Sequence, residues 1–145
     1  MKRTLSVALI VAIGGGVALA QQDPIAARRA LMKSNGEATA AANKMAKGET
    51  PFDIAKVRDV YQVYTDVAAK MHSYFPANSK TGGDTIASPK IWENMADFEA
   101  RFVAWGKDIE KAKLDTKDLD TFKAQFANLT KACASCHENY RLKRS

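Results

Sequence analysis

The sequence has few of the residues on which metal-binding and disulfide-bonded folds depend. Of its 145 residues only two are cysteine, two are histidine and four are proline. A structural zinc site takes four ligands, so zinc would use every cysteine and histidine in the chain. No block of basic residues is interleaved with aromatic ones, and nucleic acid is therefore not a predicted partner.

Long apolar runs are also scarce, and the one that exists lies at the N-terminus. Residues 1–3 are a short positive start, residues 5–13 are almost wholly apolar, and Ala18-Leu19-Ala20 is a small-residue cleavage site. The run is too short to span a bilayer about 30 Å thick. We therefore predict that residues 1–20 are a signal peptide and that residues 21–145 form one exported domain without a membrane span.

The charge is only mildly unbalanced. Lys2 and Arg3 are the only charged residues of the predicted signal peptide, so its removal leaves 20 basic and 16 acidic residues, a net charge of 20 − 16 = +4. Such an excess either steers an acidic partner or belongs to an ordinary solvated surface. The remaining length suits a single domain with one core.

Apolar residues recur at alternating steps of three and four in four segments, a period typical of amphipathic helices. Start and stop signals place these helices from Asp23-Pro24 to Ala46, from Asp53 to about His72, from Ser88-Pro89 through Ile109, and from between Thr116 and Asp118 to Tyr140. The segment between the second and third helices has loop composition. The sequence predicts an all-α, antiparallel up-down-up-down four-helix bundle.

Both cysteines and one histidine form a single motif, Cys133-Ala134-Ser135-Cys136-His137, on the fourth predicted helix. At about 100° per residue, these three side chains fall within an arc of about 100° on the face that holds Phe126 and Leu129. Two thiols one turn apart can each add to a vinyl group of one porphyrin, and the adjacent imidazole then lies over the ring to coordinate iron. Since Cys-x-x-Cys-His is the signature of c-type haem attachment, we predict one covalent haem c with His137 as iron ligand.

Two alternatives use the same cysteines. A disulfide oxidoreductase is typical of a cysteine pair at the start of a helix, where the helix N-terminus lowers a thiol pKa, whereas Cys133 and Cys136 lie late in a C-terminal helix. A structural zinc site would need His72 as its fourth ligand. A haem stain after denaturing electrophoresis separates both alternatives from a c-type haem protein.

The motif near the C-terminus is accompanied by further landmarks along the chain. These are Arg28-Arg29-Ala30-Leu31-Met32, Lys47-Gly48-Glu49-Thr50-Pro51-Phe52-Asp53, Ser88-Pro89-Lys90-Ile91-Trp92 and Tyr140-Arg141-Leu142-Lys143. Together they resemble class II cytochromes c, the cytochrome c′ family, over the whole of residues 21–145. The resemblance implies a bundle with haem near one end, a periplasmic location, redox partner proteins, a monomer or homodimer, and no enzymatic activity.

Geometry alone leaves the second axial ligand of the iron open. In an up-down bundle Met32, Met71, His72 and Met95 lie at the same end as the motif, whereas Met45 is about 20 Å too far along its helix. The second helix should lie diagonally from the fourth, which disfavours Met71 and His72. Met32 and Met95 remain, and the resemblance implies Met32, as in the low-spin, methionine-ligated cytochromes c-556.

The resemblance also implies roles for two arginines and two possible functions. Arg28 is expected near a haem propionate and Arg141 near the proximal histidine. If Met32 ligates the iron, the predicted function is one-electron transfer by a six-coordinate, low-spin haem. If Met32 only packs beside an open position, the predicted function is binding of nitric oxide or carbon monoxide by a five-coordinate, high-spin haem. Trp92 and Trp105 are predicted to pack in the core or against the haem.

Overall fold

The computed structural model describes residues 23–143, so the predicted signal peptide lies outside the described range. Within residues 23–143 the elements are five α-helices and two 3₁₀ turns: α1 (Pro24–Ala46), α2 (Ile54–Lys70), the turns Met71–Tyr74 and Ala77–Ser79, α3 (Lys90–Glu93), α4 (Met95–Asp115) and α5 (Leu119–Tyr140). No helix between residues 23 and 143 combines the length and the apolar character needed to cross a membrane.

The four long helices form the predicted bundle. α2 packs against α1 and α4, α4 packs against α5, and α5 packs against α1, so α2 lies diagonally from α5 as predicted. The side chains that fill the centre are mostly apolar and come from every long helix. The largest that are almost fully buried are Tyr61, Tyr64, Met71, Ile91, Ile109, Phe122 and Leu129.

An aspartate begins three of the long helices, which confirms the predicted starts. Asp23 accepts a hydrogen bond from an amide of the first turn of α1, directly before Pro24. Asp53 accepts from two amides of α2. Asp118 and Thr121 form a capping box, in which each side chain accepts a hydrogen bond from the other residue's backbone N–H. Because these side chains satisfy N–H groups that have no partner inside the helix, they fix where each helix begins.

Gly48 ends α1, which stops at Ala46 as predicted. Its amide donates to the carbonyl of Met45 at 3.1 Å, and the amide of Glu49 donates to the carbonyl of Lys44 at 2.9 Å. This is the Schellman arrangement, which needs a left-handed residue after the helix. Gly48 has φ = +75°, a conformation that is unfavourable for residues with a Cβ atom.

The third predicted helix is in fact two helices, so the prediction of one continuous element is wrong. α3 ends at Glu93, Asn94 adopts φ = −139° and ψ = 58°, and α4 begins at Met95. The apolar residues Ile91, Met95 and Phe98 keep helical spacing across this break, and that spacing conceals it. The second predicted helix is α-helical only as far as Lys70, and the chain continues from Met71 as a 3₁₀ turn.

The chain after α5 pairs with the segment that precedes α3. The amide of Ser88 donates to the carbonyl of Tyr140 at 2.9 Å, and the amide of Leu142 donates to the carbonyl of Ile86 at 2.8 Å. Ala87 and Arg141 form an antiparallel bridge between these bonds. The bridge holds residues 86–88 against the end of the helix that carries the cysteine motif.

Candidate haem site

A cavity of about 950 Å³ lies at one end of the bundle, lined by α1, α4, α5 and residues 84–87. This volume is at the upper end of the range of pockets that bury small molecules and cofactors. Phe75, Ile91, Phe98 and Phe102 contribute a largely apolar surface. The cavity is therefore suited to a large, mainly apolar group.

The motif on α5 faces this cavity. Cys133, Cys136 and His137 all line it, and all three residues are half-buried. The Cys133 thiol lies 3.3 Å from the carbonyl oxygen of Leu129, one turn earlier. The prediction that the three side chains share one inward face of the helix is confirmed.

The two thiols do not have the character of a redox dithiol. Burial raises the pKa of Cys133 to about 11, and the neighbouring Cys136 adds to the increase. Burial also raises the pKa of Cys136, and the two sulfur atoms are not bonded to each other. Disulfide oxidoreductases depend on a lowered thiol pKa, so the environment of this pair does not favour that alternative.

His137 has the protonation state that iron ligation requires. Burial lowers the pKa of His137, and the positive charge of Arg141 lowers it further. The imidazole is thus kept neutral at neutral pH, and neutral imidazole is the metal-binding form. Arg141 itself is exposed and lines the cavity close to His137, where the resemblance leads one to expect it.

Two methionines line the cavity, and one of them was disfavoured by the sequence argument. Met32 on α1 and Met71 are both part of the wall, whereas Met95 and His72 are absent from its described lining. The argument that disfavoured Met71 considered only the axis of the second helix and did not take the following turn into account. Met71 begins the 3₁₀ turn that follows α2, and this turn packs against α1 and α4 at the cavity end.

The guanidinium of Arg28 is buried and bonded to the loop that follows α2. It donates to the carbonyl of Tyr74 at 3.2 Å, to the hydroxyl and carbonyl of Ser79 at 3.0 and 2.9 Å, and to the hydroxyl of Thr85 at 2.5 Å. It also lies 4.8 Å from the ring centroid of Phe75. All these partners are neutral, and burial lowers the pKa of Arg28. Arg28 therefore holds the loop over the cavity, a role that the sequence argument missed.

Replacing Arg28 with glutamine is expected to lower the free energy of unfolding by at least about 2 kcal/mol, because four hydrogen bonds of a charged group, two of them buried, are lost together. Arg29→Gln is a matched control, since Arg29 forms one exposed ion pair with Asp84 at 3.0 Å. Such pairs contribute about 0–1 kcal/mol. Denaturant unfolding of the haem-loaded variants measures both changes, and equal effects would contradict the anchoring role of Arg28.

The two tryptophans differ in how their N–H groups are used. Trp92 donates to the carbonyl of Phe75 at 2.9 Å and so holds the loop. Trp105 lines the cavity, packs against Tyr64 at 5.3 Å between ring centroids, and has a buried Nε1 without a hydrogen-bond partner among the described residues. This N–H is shielded from the cavity by its neighbours, so the groups that a cofactor would meet are the two thiols and the imidazole. Two thiols one helical turn apart beside an imidazole are the donor set that fits a covalently attached haem.

A four-helix bundle whose last helix presents Cys-x-x-Cys-His to a large cavity at one end defines the bundle class of c-type haem proteins. The family model for cytochrome c′ matches residues 23–141. The chain belongs to the cytochrome c′ family, and its cofactor is covalently attached haem c, which contains iron.

Relatives in this family include both cytochromes c′ and cytochromes c-556. A cytochrome c′ of Rhodopseudomonas palustris is 41% identical over 143 residues, which cover 99% of this chain and 98% of the relative. A cytochrome c-556 of the same organism is 35% identical over 145 residues, covering 97% of each chain. The solved structure of cytochrome c′ from Rhodopseudomonas palustris superposes with a TM-score of 0.83 at 42% identity, covering 86% of this chain and 100% of that one.

Proposed function

We propose that the protein is a periplasmic electron carrier with a six-coordinate, low-spin haem, exported by a signal peptide over residues 1–20. Cys133 and Cys136 hold the porphyrin through thioether bonds, and His137 and Met32 are the two axial ligands of its iron. The haem supplies a centre that gains and loses a single electron. No substrate is turned over, so the protein is not an enzyme.

The observation that carries this proposal is that Met32 and the Cys133–His137 motif line one cavity from two different helices. A thioether and an imidazole that approach from separate helices can occupy opposite sides of a flat cofactor. Met71 also lines the cavity, but it is only 1% exposed and belongs to the hydrophobic core, so packing accounts for its position. Met32 is half-buried and packs only at the edge of that core.

The chain's own residues make the site suitable for electron transfer. The aromatic rings of Phe98 and Phe102 exclude water from the cavity wall, and a methionine ligand raises the reduction potential relative to a second histidine. Arg28 brings a buried positive charge to the wall, and no carboxylate of residues 23–143 lies within ion-pair distance of it, which suits a propionate group of the porphyrin. Arg141 is proposed to lie beside His137, where its positive charge helps to keep the imidazole neutral.

A second candidate is a five-coordinate, high-spin haem protein that binds nitric oxide or carbon monoxide. It is favoured by the higher identity to the cytochrome c′ of Rhodopseudomonas palustris, 41% against 35% for the cytochrome c-556. In this case Met32 packs beside an open axial position.

The absorption spectrum of the purified haem protein separates the two functions. We expect a low-spin ferric spectrum at neutral pH and a ferrous spectrum that does not change when carbon monoxide is added. A high-spin ferric spectrum together with a carbon monoxide adduct would reject methionine ligation and support gas binding.

A further inference from the structure

Asp97, Arg101 and Tyr140 form a hydrogen-bonded cluster between α4 and α5. The Tyr140 hydroxyl donates to Oδ2 of Asp97, and Nε of Arg101 donates to the same oxygen at 2.7 Å. The Arg101 guanidinium carbon lies 5.3 Å from the ring centroid of Tyr140. Nη1 of Arg101 also donates to the hydroxyl of Ser135, inside the cysteine motif, at 3.3 Å. The cluster thus joins α4 directly to the turn that carries the thiols.

The two charged residues of the cluster differ in their relation to the haem cavity. Arg101 and Tyr140 line the cavity, and Asp97 does not belong to its described lining. Arg101 also acts more strongly than Asp97 on the pKa of the Cys136 thiol, so the positive member of the pair has the larger electrostatic effect at the motif. The hydrogen bonds lower the pKa of Asp97 and raise the pKa of Arg101, so both groups are charged at neutral pH.

The position of this pair is held from several sides. Tyr140 is only 7% exposed, its ring contacts the Phe98 ring at 5.2 Å between centroids, and its carbonyl accepts the bond from Ser88. Its hydroxyl is fixed with it, and so is the carboxylate oxygen to which it donates. The buried tyrosine thus anchors one end of an ion pair whose two charged side chains are themselves partly exposed.

A fixed charge beside a redox centre changes the stability of the oxidised state, which carries one more positive charge than the reduced state. A nearby cation disfavours the oxidised state and raises the reduction potential, and a nearby anion has the opposite effect. We infer that the Asp97–Arg101 pair, held by Tyr140, tunes the reduction potential of the haem in this cavity. The inference rests on the proposed function as an electron carrier. Asp97 and Arg101 are both positioning residues, because neither side chain touches a reacting atom.

Redox titration of the haem-loaded variants at pH 7 and low ionic strength tests this inference. Asp97→Asn is expected to raise the reduction potential and Arg101→Gln to lower it. Each substitution should change the redox equilibrium constant on the order of threefold to tenfold, and a tenfold change corresponds to a shift of about 59 mV in the potential. The double variant should fall between the two. Both shifts should shrink at high salt, because the side chains are 41% and 33% exposed.

Matched variants exclude a merely structural effect. Asp59→Asn removes the same charge from an exposed position of α2 and should leave the potential unchanged. Arg101→Lys keeps the charge and should shift the potential less than Arg101→Gln does. Shifts of the same sign for Asp97→Asn and Arg101→Gln, or shifts no larger than that of Asp59→Asn, would overturn the inference.

The spin state, read from the absorption spectrum of the same samples, distinguishes the two proposals. A high-spin wild type rejects Met32 ligation, but opposite shifts for the two variants would still support the tuning role. A low-spin wild type with unshifted potentials keeps the ligand assignment and rejects the tuning role.

Discussion

Replacing Met32 with leucine is expected to convert the ferric protein from low-spin to high-spin at neutral pH. Leucine has nearly the same volume as methionine, and such exchanges cost less than about 1.5 kcal/mol, so the bundle should remain folded. Leucine offers no sulfur to the iron, which leaves the axial position on that side without a protein ligand. The absorption spectrum records the change, and the reduction potential should fall with it because methionine ligation raises it.

Met71→Leu is the matched control for this experiment. Met71 lines the same cavity, so its replacement alters the cavity wall to a similar degree. We expect this variant to keep the low-spin spectrum. If Met71→Leu became high-spin and Met32→Leu did not, the ligand would be Met71. If neither variant changed the spectrum, ligation of the iron by Met32 or Met71 would be refuted.

The second large effect is expected when Cys133 and Cys136 are both replaced with alanine. Without thiols no thioether bond to the porphyrin can form, so the haem should be lost when the protein is denatured. The wild-type chain from a host that matures c-type cytochromes should give a haem-stained band on a denaturing gel, and the double variant a colourless one.

Mass spectrometry of the same chains makes this test quantitative. The intact wild-type protein should carry the mass of one haem, and the double variant the mass of the polypeptide alone. Each single variant keeps one thiol and should retain haem in part of the molecules. A stained band from the double variant would mean that attachment does not occur through these cysteines.

Most of the fold could be predicted because its signals are local. The aspartates at positions 23, 53 and 118 and the glycine at position 48 act within one helical turn, and the structure uses them as caps and as a stop. The face shared by the motif residues was equally predictable, since the helical period alone determines it.

The parts that could not be predicted depend on contacts between distant residues. The partners of Arg28 lie 46 to 57 residues away in an irregular loop, so no periodic pattern indicates them. Tyr140 and Asp97 are 43 residues apart and meet only because α4 and α5 pack side by side. The approach of Met71 to the cavity depends on a short turn whose path the hydrophobic pattern does not specify.

The walls of the cavity come from opposite ends of the described chain, with Met32 on α1 and Cys133 on α5. Pairings of neighbouring helices such as α1 with α2 close short loops and form early, whereas the meeting of the first and last helices closes the longest loop and comes late in folding. During folding there should therefore be an interval in which α5 is docked on its neighbour α4 but not yet on α1, with the motif open on the α1 side. We expect this interval to give the maturation machinery its access to the two sulfur atoms, before the remaining walls close around the attached ring.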